Sequence, residues 1–136
     1  MERLNPHLRY RKLWLLIGYL MIAVVIYLSL TSSPIQIDAE LPYQDKVFHA
    51  LAYFGLTFWF MQIYHIRHHV VRWIVFFLGL GLLLEYLQGF DPQRYREMGD
   101  MAANALGVML AAGLFMTPLR LSLARLERFL GQAISR

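Results

Sequence analysis

Leu13 to Leu30 contains no charged residue. At about 1.5 Å per residue in a helix, a run of that length covers most of a roughly 30 Å hydrocarbon core. Further apolar runs follow at Val47 to Tyr64, Trp73 to Phe90 and Met101 to Thr117. Their backbone polar groups would have to be satisfied within each segment, and none shows the alternation of a barrel strand. The pattern therefore predicts an all-α polytopic membrane protein, with spans at 13–30, 47–64, 73–90 and 101–117 forming a four-helix bundle.

Composition agrees with this solvent. The chain has 136 residues, 58% of them hydrophobic and 16% charged, against about 45–50% and 25% in soluble domains. No polar stretch is long enough to form a separate catalytic domain, so residues 1–136 read as a single domain. The absence of cysteine excludes disulfides, thiolate metal sites and a cysteine nucleophile. A net charge of +4 raises the question of nucleic acid, but the basic residues cluster beside apolar runs and not on one polar face, so no nucleic-acid partner is expected.

Those basic residues set an orientation. Arg3, Arg9, Arg11 and Lys12 precede the first run, Arg67 and Arg72 separate the second and third, and Arg120, Arg125, Arg128 and Arg136 follow the fourth. Lys46, Arg94 and Arg96 lie on the other side. The positive-inside rule then places both termini in the cytoplasm of a bacterial inner membrane, with external loops at 31–45 and 91–99. In the tail, 118–136, Leu119, Leu123, Leu126, Leu130 and Ile134 recur near helical spacing among arginines. This predicts an amphipathic C-terminal helix on the anionic inner leaflet. His65, His68 and His69 are expected in a solvated cytoplasmic loop, and the Ala103, Gly107, Ala111 stripe in a close helix contact.

Seven polar residues stand out against the apolar runs: Asp45, Lys46, His49, Glu85, Gln88, Asp100 and Asn104. Asp45 with His49, Glu85 with Gln88, and Asp100 with Asn104 each have a spacing that shares one helix face. The orientation derived from loop charges puts all three pairs at similar depth on the outer side. A carboxylate in lipid costs about 2.5–3.5 kcal/mol even on insertion scales, so such groups mark functional candidates. Two helix N-termini and the cations Lys46 and Arg94 at the same level suit a phosphate, gripped bidentately by Arg94. In this arrangement His49 and Glu85 share a proton, while Gln88 and Asn104 fix orientation. The structural alternative has Asp45 and Asp100 capping their helices, Glu85 paired with His49 or an arginine, and Gln88 and Asn104 bonding between spans. A metal set of His49, Asp45, Glu85 and Asp100 has no supporting motif, so no metal and no cofactor is expected.

The segments D45-K-V-F-H49-A-L-A-Y53, E85-Y-L-Q88 and R94 through D100-M-A-A-N104-A-L-G107 resemble, in order, the D-K-x-x-H-x-x-x-Y, E-x-x-Q and R-x5-D-x3-N-x2-G segments of the VanZ-like membrane proteins. The likeness runs from about Leu13 to Phe115. It implies a small bacterial envelope protein with Tyr53 among the pocket residues, related to a founding member linked to teicoplanin resistance. The expected function is an outward-facing pocket of Asp45, Lys46, His49, Tyr53, Glu85, Gln88, Arg94, Asp100 and Asn104 that binds an anionic envelope lipid or lipid-linked precursor and bears on antibiotic tolerance. One alternative is a hydrolase or transferase of lipid phosphate using His49, Glu85 and Asp100. Another is a structural or regulatory subunit that meets a membrane-protein partner or a second copy of itself.

Overall fold

The computed structural model describes residues 4–31, 43–92 and 97–134. The regular elements among them are helices: α1 (Arg11–Leu30), α2 (Gln44–Ile63), α3 (Arg67–Gln88), α4 (Met98–Leu114) and α5 (Ser122–Ile134), with a 3-10 turn at Pro118–Leu121 before α5. The sole β-type pairing among the described residues is an isolated bridge between Leu4 and Tyr64. The expected all-α class and the amphipathic C-terminal helix are present.

Helix ends differ from the charge-free runs because helical backbone does not stop where charge begins. Arg67 to Arg72 holds no Gly or Pro, so α3 starts six residues before Trp73. It stops at Gly89, just ahead of Pro92. His69 thus lies in the first turn of α3 and is buried beside Tyr64, at 6.0 Å between ring centroids, not in a solvated loop; His65 and His68 are exposed. By length and apolarity α1 and α3 qualify as membrane crossings, and α4 makes a third when joined to the segment after its bend. The sequence expected four. Helix α2 opens on Gln44, Asp45 and Lys46 and carries His49 and Gln62, and α4 alone has only 17 residues.

Helix α2 is the hub, packing on α1, α3 and above all α4. The expected small-residue stripe explains the last contact. Ala103, Gly107 and Ala111 are buried, and a Cβ on Gly107 would lie 2.2 Å from the Ala50 carbonyl oxygen. Only hydrogen fits there. On the other flank, Phe60 packs on Trp73 at a tilt of 32°, 3.9 Å between ring centroids, and meets Phe77 edge-on at 5.5 Å. Gly18 of α1 lies against the Phe60 ring. Burial of Phe60, Phe77, Leu56 and Val108 is complete. Outside this core, Leu16, Leu20 and Val24 of α1 and Val75 and Leu82 of α3 are each more than half exposed, an apolar exterior suited to lipid.

Chain direction alternates through the bundle. One end collects the start of α1, the end of α2 and helix α5, held by a polar clasp. Buried Asn5 bonds the carbonyls of Ile63 and Gln62, at 2.6 and 3.0 Å, and the Gln62 side chain accepts the Leu123 N–H at the start of α5, at 2.6 Å. Glu127 then reaches back to accept the Arg9 and Tyr10 N–H groups, at 2.6 and 3.0 Å, and the Trp14 indole N–H.

Partial burial disfavours the Glu127 charge, yet these three donors outweigh it and hold the carboxyl below its ordinary value of 4.5. A depressed acid contributes stability above its unfolded value, and that contribution disappears as pH falls through the lower folded value. Glu127→Gln is therefore expected to lower stability by about 1 kcal/mol at neutral pH. Thermal unfolding in detergent should show the wild-type and variant curves converging below about pH 4. A gap that persists in acid would rule out a charge effect.

Candidate functional site

At the opposite end, the last turns of α1 and α3 meet the first turns of α2 and α4. Tyr43 precedes α2 in a left-handed conformation, φ 61°, just before the helix that bears Asp45, Lys46, His49 and Tyr53. Asp45, His49 and Tyr53 recur every four residues along α2, and Asp100 and Asn104 share a face of α4. The tight seam at Gly107 presses those two faces together.

Lys46 crosses this seam. Its Nζ lies 3.3 Å from Asp45 Oδ2, 2.6 Å from Glu97 Oε2 and 3.1 Å from Asp100 Oδ1. Its stem runs over Gly99, where a Cβ would come within 2.6 Å of Lys46 Cε. The three carboxylates offer oxygens all within 4.8 Å of one another, a grouping suited to a cation, and the ammonium supplies that charge. Lys46 was expected to hold phosphate; its three contacts here are all acidic. Sequence reasoning missed Glu97 and Gly99, having placed both in a loop. The available signal was an acidic residue three before Asp100, at a position where a helix N-terminus favours negative charge.

His49 also faces α4. Nδ1 is 3.0 Å from Asn104 Oδ1, and Nε2 is 3.8 Å from Asp100 Oδ2. With Nδ1–H donating to the amide oxygen, Nε2 is directed at the carboxylate. His49 was expected to share a proton with Glu85; the carboxylate its ring approaches across the seam is Asp100 of α4. Glu85, only 1% exposed, accepts the Glu97 backbone N–H at 2.8 Å and so satisfies a donor at the start of α4. Gln88 donates to the Ser29 carbonyl oxygen at 2.7 Å, tying α3 to the last turn of α1. Asp45 and Asp100, expected as caps in the structural alternative, sit in the first turns of α2 and α4, just inside the N-cap positions held by Tyr43 and Glu97, where the helix dipole favours negative charge.

Tyr53 lies one turn deeper than His49, 1% exposed. Its ring edge and Asn104 crowd Gly81 of α3, at 3.3 and 3.2 Å from where a Cβ would be. The Tyr53 hydroxyl has no hydrogen-bond partner among the described residues. The structure thus brings together Asp45, Lys46, His49, Asp100 and Asn104 in direct contact, with Tyr53 and Glu85 beneath and Gln88 on the α1 side. Arg94 lies outside the described residues. Comparison with protein-family models, curated proteins and solved structures finds no match to this chain.

Proposed function

We propose that the chain is a VanZ-like protein of a bacterial inner membrane, crossing four times with both termini in the cytoplasm. Its polar end faces outward and binds an anionic envelope lipid or lipid-linked precursor, with a consequence for envelope antibiotic tolerance. The observation that carries this reading is the Tyr53 hydroxyl. A buried O–H without a partner costs about 1–3 kcal/mol, and it lies in a cluster of ionisable groups from α2, α3 and α4. An anionic oxygen entering from the polar end would accept from Tyr53, with Arg94 supplying the charge. Lys46, engaged with acids, would hold α2 to α4 and position His49. The three ordered sequence motifs and the loop-charge asymmetry support the family and the orientation.

Native mass spectrometry of the purified protein in mild detergent tests it. Wild type is expected to retain a phosphate-bearing lipid, and Arg94→Ala and Tyr53→Phe each to lose most of that signal, about tenfold for a bidentate or buried donor contact. Equal retention by all three proteins would sink the reading.

The His49 geometry favours a second reading, a hydrolase or transferase of lipid phosphate. Here His49 is the acid/base, Asp100 orients it, and Glu85 is the second carboxylate. Phosphate release from a panel of purified lipid phosphates, abolished by His49→Ala, would establish it. No release from any of them would remove it.

A further inference from the structure

Helix α5 uses only part of its apolar stripe inside the molecule. Leu123 and Ala124 are buried against Leu8 and Ile63. At about 100° per residue, Leu126, Phe129 and Leu130 occupy a neighbouring arc roughly 100° wide, with Arg125 flanking it beside Phe129 and Arg128 turned away from it. Those three apolar side chains are 47%, 69% and 46% exposed. The one acid of α5, Glu127, is spent on the start of α1, so the charge that α5 offers outward is basic. The segment beginning at Pro118 meets α4 at 84°, which lays α5 along a bilayer surface if α4 runs across it. Beside the bend is a cavity of about 190 Å³ into which His7, His65 and Arg120 face over an apolar wall of Met61 and Phe115. The Arg120 guanidinium is braced 5.5 Å from the Phe115 ring centroid. No described lining residue is acidic.

We propose that this elbow is a seat for an anionic phospholipid surface, remote from the polar cluster at the other end. The open face of α5 lies among the upper acyl chains, and the cavity receives one phosphate headgroup between Arg120 and the two histidines. This rests on the membrane reading and adds a second lipid contact of different character. Zwitterionic lipid would cover the apolar arc equally well and also offers a phosphate; its headgroup cation beside Arg120, Arg125 and Arg128 is what disfavours it against anionic lipid.

The test uses the full chain in nanodiscs of phosphatidylcholine alone or with one quarter phosphatidylglycerol, read by amide hydrogen exchange over α5. Exchange is expected to be about tenfold slower with phosphatidylglycerol. Arg120→Gln combined with Arg125→Gln and Arg128→Gln should abolish that difference, and Phe129→Ser with Leu130→Ser, both on the exposed arc, should remove protection in either disc. Glycerol phosphate added to the neutral discs should give no protection. Equal exchange in the two lipids, a lipid dependence that survives the arginine substitutions, or protection by free glycerol phosphate would each overturn the inference. Failure to enter either disc would instead overturn the membrane reading.

Discussion

Valine at position 107 is expected to abolish the folded bundle. The Cβ it introduces would sit 2.2 Å from the Ala50 carbonyl oxygen and 3.0 Å from both the Ala50 carbonyl carbon and the Phe54 nitrogen. All three are backbone atoms of α2, so no rotamer change relieves the clash and the helices must separate. Separation exposes Val108 and Ala111, which are fully buried, and breaks the 3.0 Å contact between His49 and Asn104. Overpacking a core against movable side chains costs about 1–3 kcal/mol; against backbone the cost should exceed about 4 kcal/mol, close to the whole stability of a small domain. Gly113→Val serves as the control, since its Cβ would meet nothing within 4 Å. Circular dichroism melts in mild detergent should show Gly113→Val near wild type, Gly107→Ala well below it and Gly107→Val without a cooperative transition. A Gly107→Val protein melting within a few degrees of wild type would mean that α2 and α4 do not meet along this seam.

That seam also marks what could be read from the sequence. Hydropathy and four-residue spacing sufficed for four successive helices in the bundle, for the small-residue contact, and for polar pairs falling at one end. These are local properties, fixed by helical periodicity and by the cost of exposing backbone groups to lipid. Partners were less accessible. Glu127 binds Arg9 from 118 positions away, and Gln62 meets Leu123 across 61; no periodicity encodes such distances. His49 was matched with Glu85 because both were polar at one depth, whereas the pairing with Asp100 depends on how closely two helices approach. Glu97 was passed over because the helix start was placed after the last charged residue, Asp100, three positions too late. In each case depth was recovered, and azimuth around the bundle was not.

Lys46→Met is expected to be the most disruptive single change within the polar cluster. Methionine preserves most of the apolar stem lying over Gly99 and removes only the charge, leaving Asp45, Glu97 and Asp100 with oxygens inside 4.8 Å of one another. Asp100 suffers most. Its side chain is 10% exposed, against 51% for Asp45 and 52% for Glu97, so water screens the outer two far better. Taking the partner from a buried charge costs about 3–5 kcal/mol; the open side of this cluster should reduce that to about 2 kcal/mol. The loss should depend on acidity in a definite direction. Crowded carboxylates hold protons more tightly in the folded variant than in its unfolded chain, so the deficit is largest at neutral pH and shrinks as pH falls into the carboxylate range. Adding Asp100→Asn to Lys46→Met should recover most of the stability at pH 7, because it removes the least solvated of the three charges. A double variant no more stable than Lys46→Met alone, or a deficit unchanged by acid, would show that Lys46 contributes through its packed stem and not through the three carboxylates it joins.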